Sequence, residues 1–452
     1  MRLALLLTIA TTTTVVTARQ TVNEPQVDAA DISATGDVSA LLAAARGAPP
    51  LLCQLAARAV QGMGDWGGMI EAPIMPLTGS SEPERITMRH LPRPDVELAL
   101  SAMSSDDACV RELGARIVSR QDDSVIVSPV LKQLTATDSS LRSLALAVLG
   151  WSTPDGAMNG VRAAMRDAAM PVRANAAWAA GRFEDGAAVD PLIVLTRDGA
   201  PLVRRAAVGA LGRIDSARAL TTLMGVLRSD ADAGVRRTAA WAIGQLNDAA
   251  GVSALATALA NDRDDRVREM AAWAIGEIES SSAVSALSAA LRTDANERVR
   301  ESAAWALGEV QSREGAAALD AALGSDASAT VRATAAWALG EIEGLSATPG
   351  LLRGLRDANA DVRLKSAWAL SQIEDASAAP ALVTALEREA EPRVRRAMLR
   401  AVVKSGGESE SAIRALVSSS DAKTREMAVR ALVGRNSVDP WPWPQPRPRP
   451  FP

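Results

Sequence analysis

Tyrosine is absent, histidine occurs once, at position 90, and cysteine twice, at 53 and 109. Each scarcity removes a class of chemistry. A zinc site of ordinary Cys/His composition needs more ligands than these. A Ser-His-Asp or Cys-His constellation would have to use His90, which lies in a Pro-rich stretch between Arg89 and Leu91-Pro92 with no nucleophile-elbow sequence beside it. His90 therefore reads as an exposed loop residue. Charge of one sign is not concentrated either: the formal net charge is −4 with no basic block, which gives nucleic-acid binding little electrostatic support. Apolar runs of membrane-spanning length are missing beyond the first eighteen residues. Acid-rich turns such as the one from Asp262 to Asp265 lack the spacing of a calcium loop. No catalytic, cofactor or metal residue is expected.

The segment 1–18 has Arg2, then an uncharged apolar and threonine-rich run ending Val16-Thr17-Ala18. Small residues at its last and third-last positions suit a secretory signal cleaved after Ala18, with export to a periplasm or the medium. An uncleaved anchor is the alternative. Residues 19–94 are expected to hold two short cap helices over 38–60, broken at Pro49-Pro50, followed by a Gly/Pro-rich loop. In an exported chain Cys53 and Cys109 form either a disulfide that staples the cap to the first repeat or two buried thiols.

What the sequence has in abundance is a repeat. Val267-Arg268-Glu269-Met270-Ala271-Ala272-Trp273-Ala274-Ile275-Gly276-Glu277-Ile278 returns nearly unchanged from Val299 and Val331, and more loosely from Val235 and Val362. Equivalent starts stand at Val110, Leu141, Val172, Val203, Val235, Val267, Val299, Val331, Val362, Val394 and Thr424. Their spacing of 31 or 32 residues, with 30 at the last step, marks a solenoid and overrides the several-domain expectation from length. At about 100° per residue, Val267, Met270, Ala271, Ala274, Ile275 and Ile278 share one face of a helix. Val252, Leu255 and Leu259 share a face of a second helix between copies. Each unit is thus a pair of short helices that must stack on its neighbours to bury both faces. The expected fold is an all-α solenoid of about eleven repeats over 95–435.

An Asp recurs five residues before each Val, at 167, 198, 230, 262, 294, 326 and 357, and an Arg directly after it, at 173, 204, 236, 268, 300, 332 and 363. With the Ala-Ala-Trp-Ala-Leu-Gly core, this spacing resembles HEAT repeats, and most closely the subgroup named after phycobilin lyases. The resemblance implies that Asp and Arg form a ladder between repeats and that the Val-Arg helix lines a concave face. The iron-binding HEAT-like hydroxylases use several His-Glu pairs that this chain lacks, and bilin attachment suits an exported chain poorly. Gly150, Gly181, Gly212, Gly244, Gly276, Gly308 and Gly340 recur once per helix, as positions of close helix approach.

Trp178, Trp241, Trp273, Trp305, Trp337 and Trp368 occupy one slot, broken only at Gly209. That slot lies about 120° from the apolar stripe, so it does not serve its own repeat's core. One turn later stand Gln245, Glu277, Glu309, Glu341 and Gln372. Two readings follow. In one, the indoles form an open ladder which, with Glu277, Glu309 and Glu341, takes an extended Pro- and Arg-bearing peptide, making the chain a non-catalytic protein-binding scaffold. In the other, the indoles are packing between repeats, and the chain is an accessory subunit docking on a membrane-bound enzyme or sensor. The X-Pro alternation over 440–452, with Trp441, Trp443, Arg447, Arg449 and Phe451, is expected to be extended. It either docks in the same groove or stays a free proline-rich terminus.

Overall fold

The computed structural model describes residues 37–49 and 90–405, with isolated positions between 416 and 429. The segments 1–18, 50–89 and 436–452, and with them the signal, second cap-helix and tail expectations, lie outside the described residues. Contacts divide the chain into two compact units that meet at Ser216 and Ala217. The described secondary structure is helical throughout, as the period required.

The first unit holds α1 (Val38–Ala45), α2 (Arg93–Ala102), α3 (Ala108–Val118), α4 (Asp123–Gln133), α5 (Ser139–Ser152), α6 (Met158–Ala164), α7 (Met170–Phe183), α8 (Val189–Leu195) and α9 (Pro201–Ile214). The second holds α10 (Leu220–Ser229), α11 (Ala233–Gln245), α12 (Val252–Asn261), α13 (Asp265–Ile278), α14 (Val284–Thr293), α15 (Glu297–Glu309), α16 (Ala316–Ser325), α17 (Ala329–Glu341), α18 (Pro349–Gly354), α19 (Ala360–Ile373), α20 (Ala379–Arg388) and α21 (Pro392–Lys404). From α2 onward, odd-numbered helices carry the Val-Arg motif, with Leu141-Arg142 in its place in α5. Each packs on the even-numbered helix before it and, within its unit, on the next odd-numbered one, as α5 on α7 on α9 and α11 through α21 in turn.

The repeat α12–α13 shows why the sequence folds this way. Asp264 caps α13, its carboxylate accepting the backbone N–H of Arg266 and Val267, and Glu279 ends the helix in the left-handed region at φ 53°. Val267, Met270, Ala271, Ala274 and Ile275 are all buried, against Val252, Leu255 and Leu259 of α12. Fully burying each of the larger side chains contributes roughly 1.5–3 kcal/mol. Ala272, Trp273 and Gly276 are buried as well, although they lie outside that stripe. Both sides of each Val-Arg helix are therefore covered, one by its own repeat and one by the neighbours.

Candidate binding face of the Val-Arg helices

The loops between paired helices carry the charged ladder. Arg268 donates from Nε and Nη2 to Asp294 of the next repeat, at 2.7 and 3.0 Å, while its Nη1 donates back to the carbonyl of Asp262 at 2.9 Å. Asp294 completes its shell by accepting the amide of Asn296. The same bidentate pairing joins Arg142 to Asp167 and Arg173 to Asp198 in the first unit. In the second it joins Arg236 to Asp262, Arg300 to Asp326, Arg332 to Asp357 and Arg363 to Glu389. Arg142, which follows a Leu, and Glu389, a Glu in the Asp slot, are rungs that the motif search passed over.

At Asp167 and Asp198 the arginine hydrogen bonds hold the carboxyl below its usual range. At Asp294 and Asp326 burial pushes the other way, and the arginine, backbone amide and surrounding cations overturn it. Removing Arg300 strands Asp326, whose side chain is 8% exposed. Arg300→Ala is expected to cost about 2 kcal/mol, the worth of a hydrogen bond to a charged group, because Asp326 keeps the Ser328 amide. The double variant with Asp326→Ala should lose clearly less than the sum of the two singles, which a double-mutant cycle in urea measures.

The tryptophans do not form an open row, and this corrects the ladder expectation. Trp178, Trp273, Trp337 and Trp368 are only 4–9% exposed. Trp241 and Trp305 are half-buried. Each described ring edge lies on the glycine of the preceding repeat: Trp178 over Gly150, Trp305 over Gly276, Trp337 over Gly308 and Trp368 over Gly340. A β-carbon built on the last three glycines would fall 2.6–2.8 Å from the ring's Cζ3. The physical reason is the small-residue contact beside it. Gly308 faces Ala338, and Gly340 faces Ala369, bringing neighbouring helices so close that an indole fills the remaining gap. Where Gly209 replaces tryptophan, Gly181 is met by Ala210 alone among the next helix's slot residues. Trp178, Trp273, Trp305, Trp337 and Trp368 thus pack as spacers against the preceding helix, and with the half-buried Trp241 they present no open stacking row.

What reaches solvent from this slot is the carboxylate one turn on. The Trp305 indole N–H donates to Glu309, and that of Trp337 to Glu341. Glu277 is exposed, whereas Glu309 and Glu341 are half-buried. Burial raises the pKa of both half-buried groups, and at Glu309 the charges of Glu341, Glu279 and Glu277 raise it further. A second acidic pair on the same helices differs: Glu269 and Glu301 are raised chiefly by burial, but Arg298, Arg237 and Arg266 oppose this at Glu269, and Lys365 and Arg298 at Glu301. In the row Glu277–Glu309–Glu341, Glu309 thus stands among three like charges.

These two sets of carboxylates give a signed pH dependence. Glu309 and Glu341 bind protons more tightly folded than unfolded, so stability rises as pH falls from neutral towards the ordinary glutamate value. The ladder acids are depressed, so their contribution is present above about pH 4 and disappears below it. The thermal midpoint is therefore expected to climb from pH 8 towards pH ~5 and then fall. Glu309→Gln/Glu341→Gln should flatten the climb and leave the fall.

Comparison with known proteins decides the family. The model for HEAT repeats matches four overlapping windows, 158–244, 226–308, 286–371 and 315–403, which together span more than half of the chain. The chain is a HEAT-repeat protein. Among solved structures, the HEAT array is similar to Kap95p in its complex with RanGDP, at 15% identity and a TM-score of 0.54 over 75% of this chain and 55% of that one. Kap95 in its Nup1 complex gives 15% and 0.53, over 75% and 56%. Human deoxyhypusine hydroxylase is 24% identical over 55% of this chain and 96% of that one, with a TM-score of 0.26. The matched region thus spans little more than half of the Kap95 chain. No curated protein matches.

The HEAT repeats of the first unit carry a different face. Arg116, held by Glu112 at 2.8 Å, lies 3.6 Å over the ring of Trp151, which meets Trp178 edge-on at 6.4 Å between centroids. Burial lowers the Arg116 pKa, and Glu112 opposes this. Arg116 and Trp151 escaped the sequence reading because they sit in slots where later repeats carry Trp and Glu. Cys109 is disulfide-bonded. Cys53, the other cysteine of the expected staple, lies outside the described residues. Asp107 ties α1 to α3, accepting the amides of Gly47, Cys109 and Val110. His90 is exposed and pairs with Asp122 at 3.2 Å. Among the described residues no cluster of His, Cys, Asp and Glu is placed to hold a metal, and no helix is long and apolar enough to cross a membrane.

Proposed function

We propose that the chain is an exported, non-catalytic scaffold that binds a cationic segment of another protein along Glu277, Glu309 and Glu341. The observation that carries this reading is the placing of Glu277, Glu309 and Glu341 in one slot of successive helices, with three neighbouring carboxylates raising the Glu309 pKa. Folding that keeps like charges together gives up stability, and a basic ligand recovers it. The fold likeness adds support, since Kap95p and Kap95 are seen in complexes with RanGDP and Nup1. The indoles contribute by fixing the carboxylates, not by stacking on the ligand. The chain's own tail, with Arg447 and Arg449, is proposed as an internal competitor for this face.

The accessory-subunit reading also accommodates buried indoles, but it gives the carboxylate row no role. The test is binding of an arginine-rich peptide to the full chain by fluorescence anisotropy. Glu277→Gln/Glu309→Gln/Glu341→Gln should weaken it on the order of 100-fold with helicity retained, and truncation after residue 439 should tighten it. Unchanged affinity in the triple variant would remove the face from consideration.

A further inference from the structure

The helix α21 departs from those before it in the second unit. It contains Arg393, Arg395, Arg396, Arg400 and Lys404 and no Asp or Glu, whereas α13, α15, α17 and α19 each contain a carboxylate. The formal net charge of −4 over the whole sequence conceals this local excess. Arg395 keeps the ladder position and donates to the Glu389 carbonyl at 3.0 Å. The other four recur at steps of three, four and four residues, which puts them within about 80° of one another on one face. They fill the slots that hold Arg298, Glu301, Trp305 and Glu309 in α15. Arg393, Arg396 and Lys404 are exposed, Arg400 is half-buried, and Lys404 reaches Glu374 at 3.3 Å.

Folding does not call for this stripe. In earlier repeats the tryptophan slot seats a ring on a glycine, as Trp368 on Gly340. Here Arg400 stands for the ring and Ser371 for the glycine, its hydroxyl turned back to donate to the Trp368 carbonyl at 2.6 Å. The junction of α19 with α21 is therefore built without ring and notch. Arg393 lies in the first turn, where the positive end of a helix disfavours a cation. We propose that the exposed stripe of α21 is a docking surface for a short acidic tract of a partner protein. This holds whether or not the carboxylate row takes a basic segment. Guanidinium groups accept carboxylates through paired hydrogen bonds. From Arg393 to Lys404 the helix advances ~16 Å, the length of about five extended residues. A tract that short lies wholly on the cations. A nucleic acid or an anionic bilayer extends past them and is repelled by other exposed acids. These are Asp361, in the slot of α19 equivalent to Arg393, Glu374 beside Lys404, and Glu391 at the N-cap of α21.

The experiment uses the full chain and a fluorescein-labelled pentaglutamate peptide, with binding read by anisotropy at low salt. Arg393→Glu/Arg396→Glu is expected to weaken binding on the order of tenfold with helicity retained, since both side chains are exposed. Arg393→Lys/Arg396→Lys keeps the charge and should weaken it by no more than about threefold. Arg388→Glu alters an exposed arginine of α20, outside the stripe, and should leave affinity within about twofold. No binding of pentaglutamate, or an equal loss in Arg388→Glu and the stripe variant, overturns the proposal. Tighter binding of an oligothymidylate or of phosphatidylglycerol vesicles through the same arginines overturns it too, in favour of an extended polyanion.

Discussion

Trp337→Ala is expected to destabilise the second unit by about 3–5 kcal/mol, the largest effect of any single change described. Its ring is 7% exposed and bridges α17 to α15, so truncation opens a cavity between repeats that the close Gly308–Ala338 contact cannot collapse. Urea unfolding followed by far-UV circular dichroism measures this without relying on tryptophan emission. The result also discriminates between roles. An indole serving mainly as a ligand platform would leave the unfolding midpoint in place and abolish peptide binding. A spacer lowers the midpoint, and any loss of binding then follows the fraction unfolded.

Gly340→Ala should come second, at about 2–3 kcal/mol destabilising, although the same exchange inside an exposed helix stabilises by about 1 kcal/mol. The sign reverses because the new methyl would lie 2.7 Å from Cζ3 of Trp368, 2.8 Å from Cα of Ala369 and 2.9 Å from its Cβ. A rotamer change of Trp368 can relieve only the first. The backbone of α19 must move for the others, and α19 is held on both sides by α17 and α21. The midpoint of Gly340→Ala/Trp368→Leu should therefore not return to that of Trp368→Leu alone. Full recovery in the double variant would show that the ring, not the helix approach, sets the limit.

The helix pairs were legible because a 3.6-residue pattern repeated at 31 or 32 residues leaves little choice of fold. The valines that anchored the register, from Val172 to Val394, are all buried. The ladder was legible too, since Asp and Arg recur at fixed offsets, and even Glu389 stands five residues before Val394. The tryptophans were harder. A helical wheel for one helix shows that Trp273 points away from its own core, but it contains no information about the helix opposite. A signal was present: Trp and the glycine three residues after it travel together from Trp241 to Trp337, as a ring and the notch that receives it would. The same limit explains Arg116 and Trp151, whose partnership joins two repeats that share no motif at those slots. The charge imbalance at Glu309 needed three-dimensional neighbours, because Glu269 looks equally acidic in sequence and is compensated only by residues brought to it from other turns and repeats.

The ladder has one further consequence, for how such a chain can change length. In the second unit each loop from Asp262 to Asp357 offers one acceptor backwards and its helix one donor forwards, so these repeats behave like links with a hook at one end and an eye at the other. Deleting or duplicating a whole link, for example 267–298, removes Arg268 together with its partner Asp294 or repeats the pair, and strands no charge in either case. Removing a fraction of a link does strand one. Growth and shrinkage by whole links is thus the route of least disturbance, and a reader of this face can gain or lose one binding position at a time.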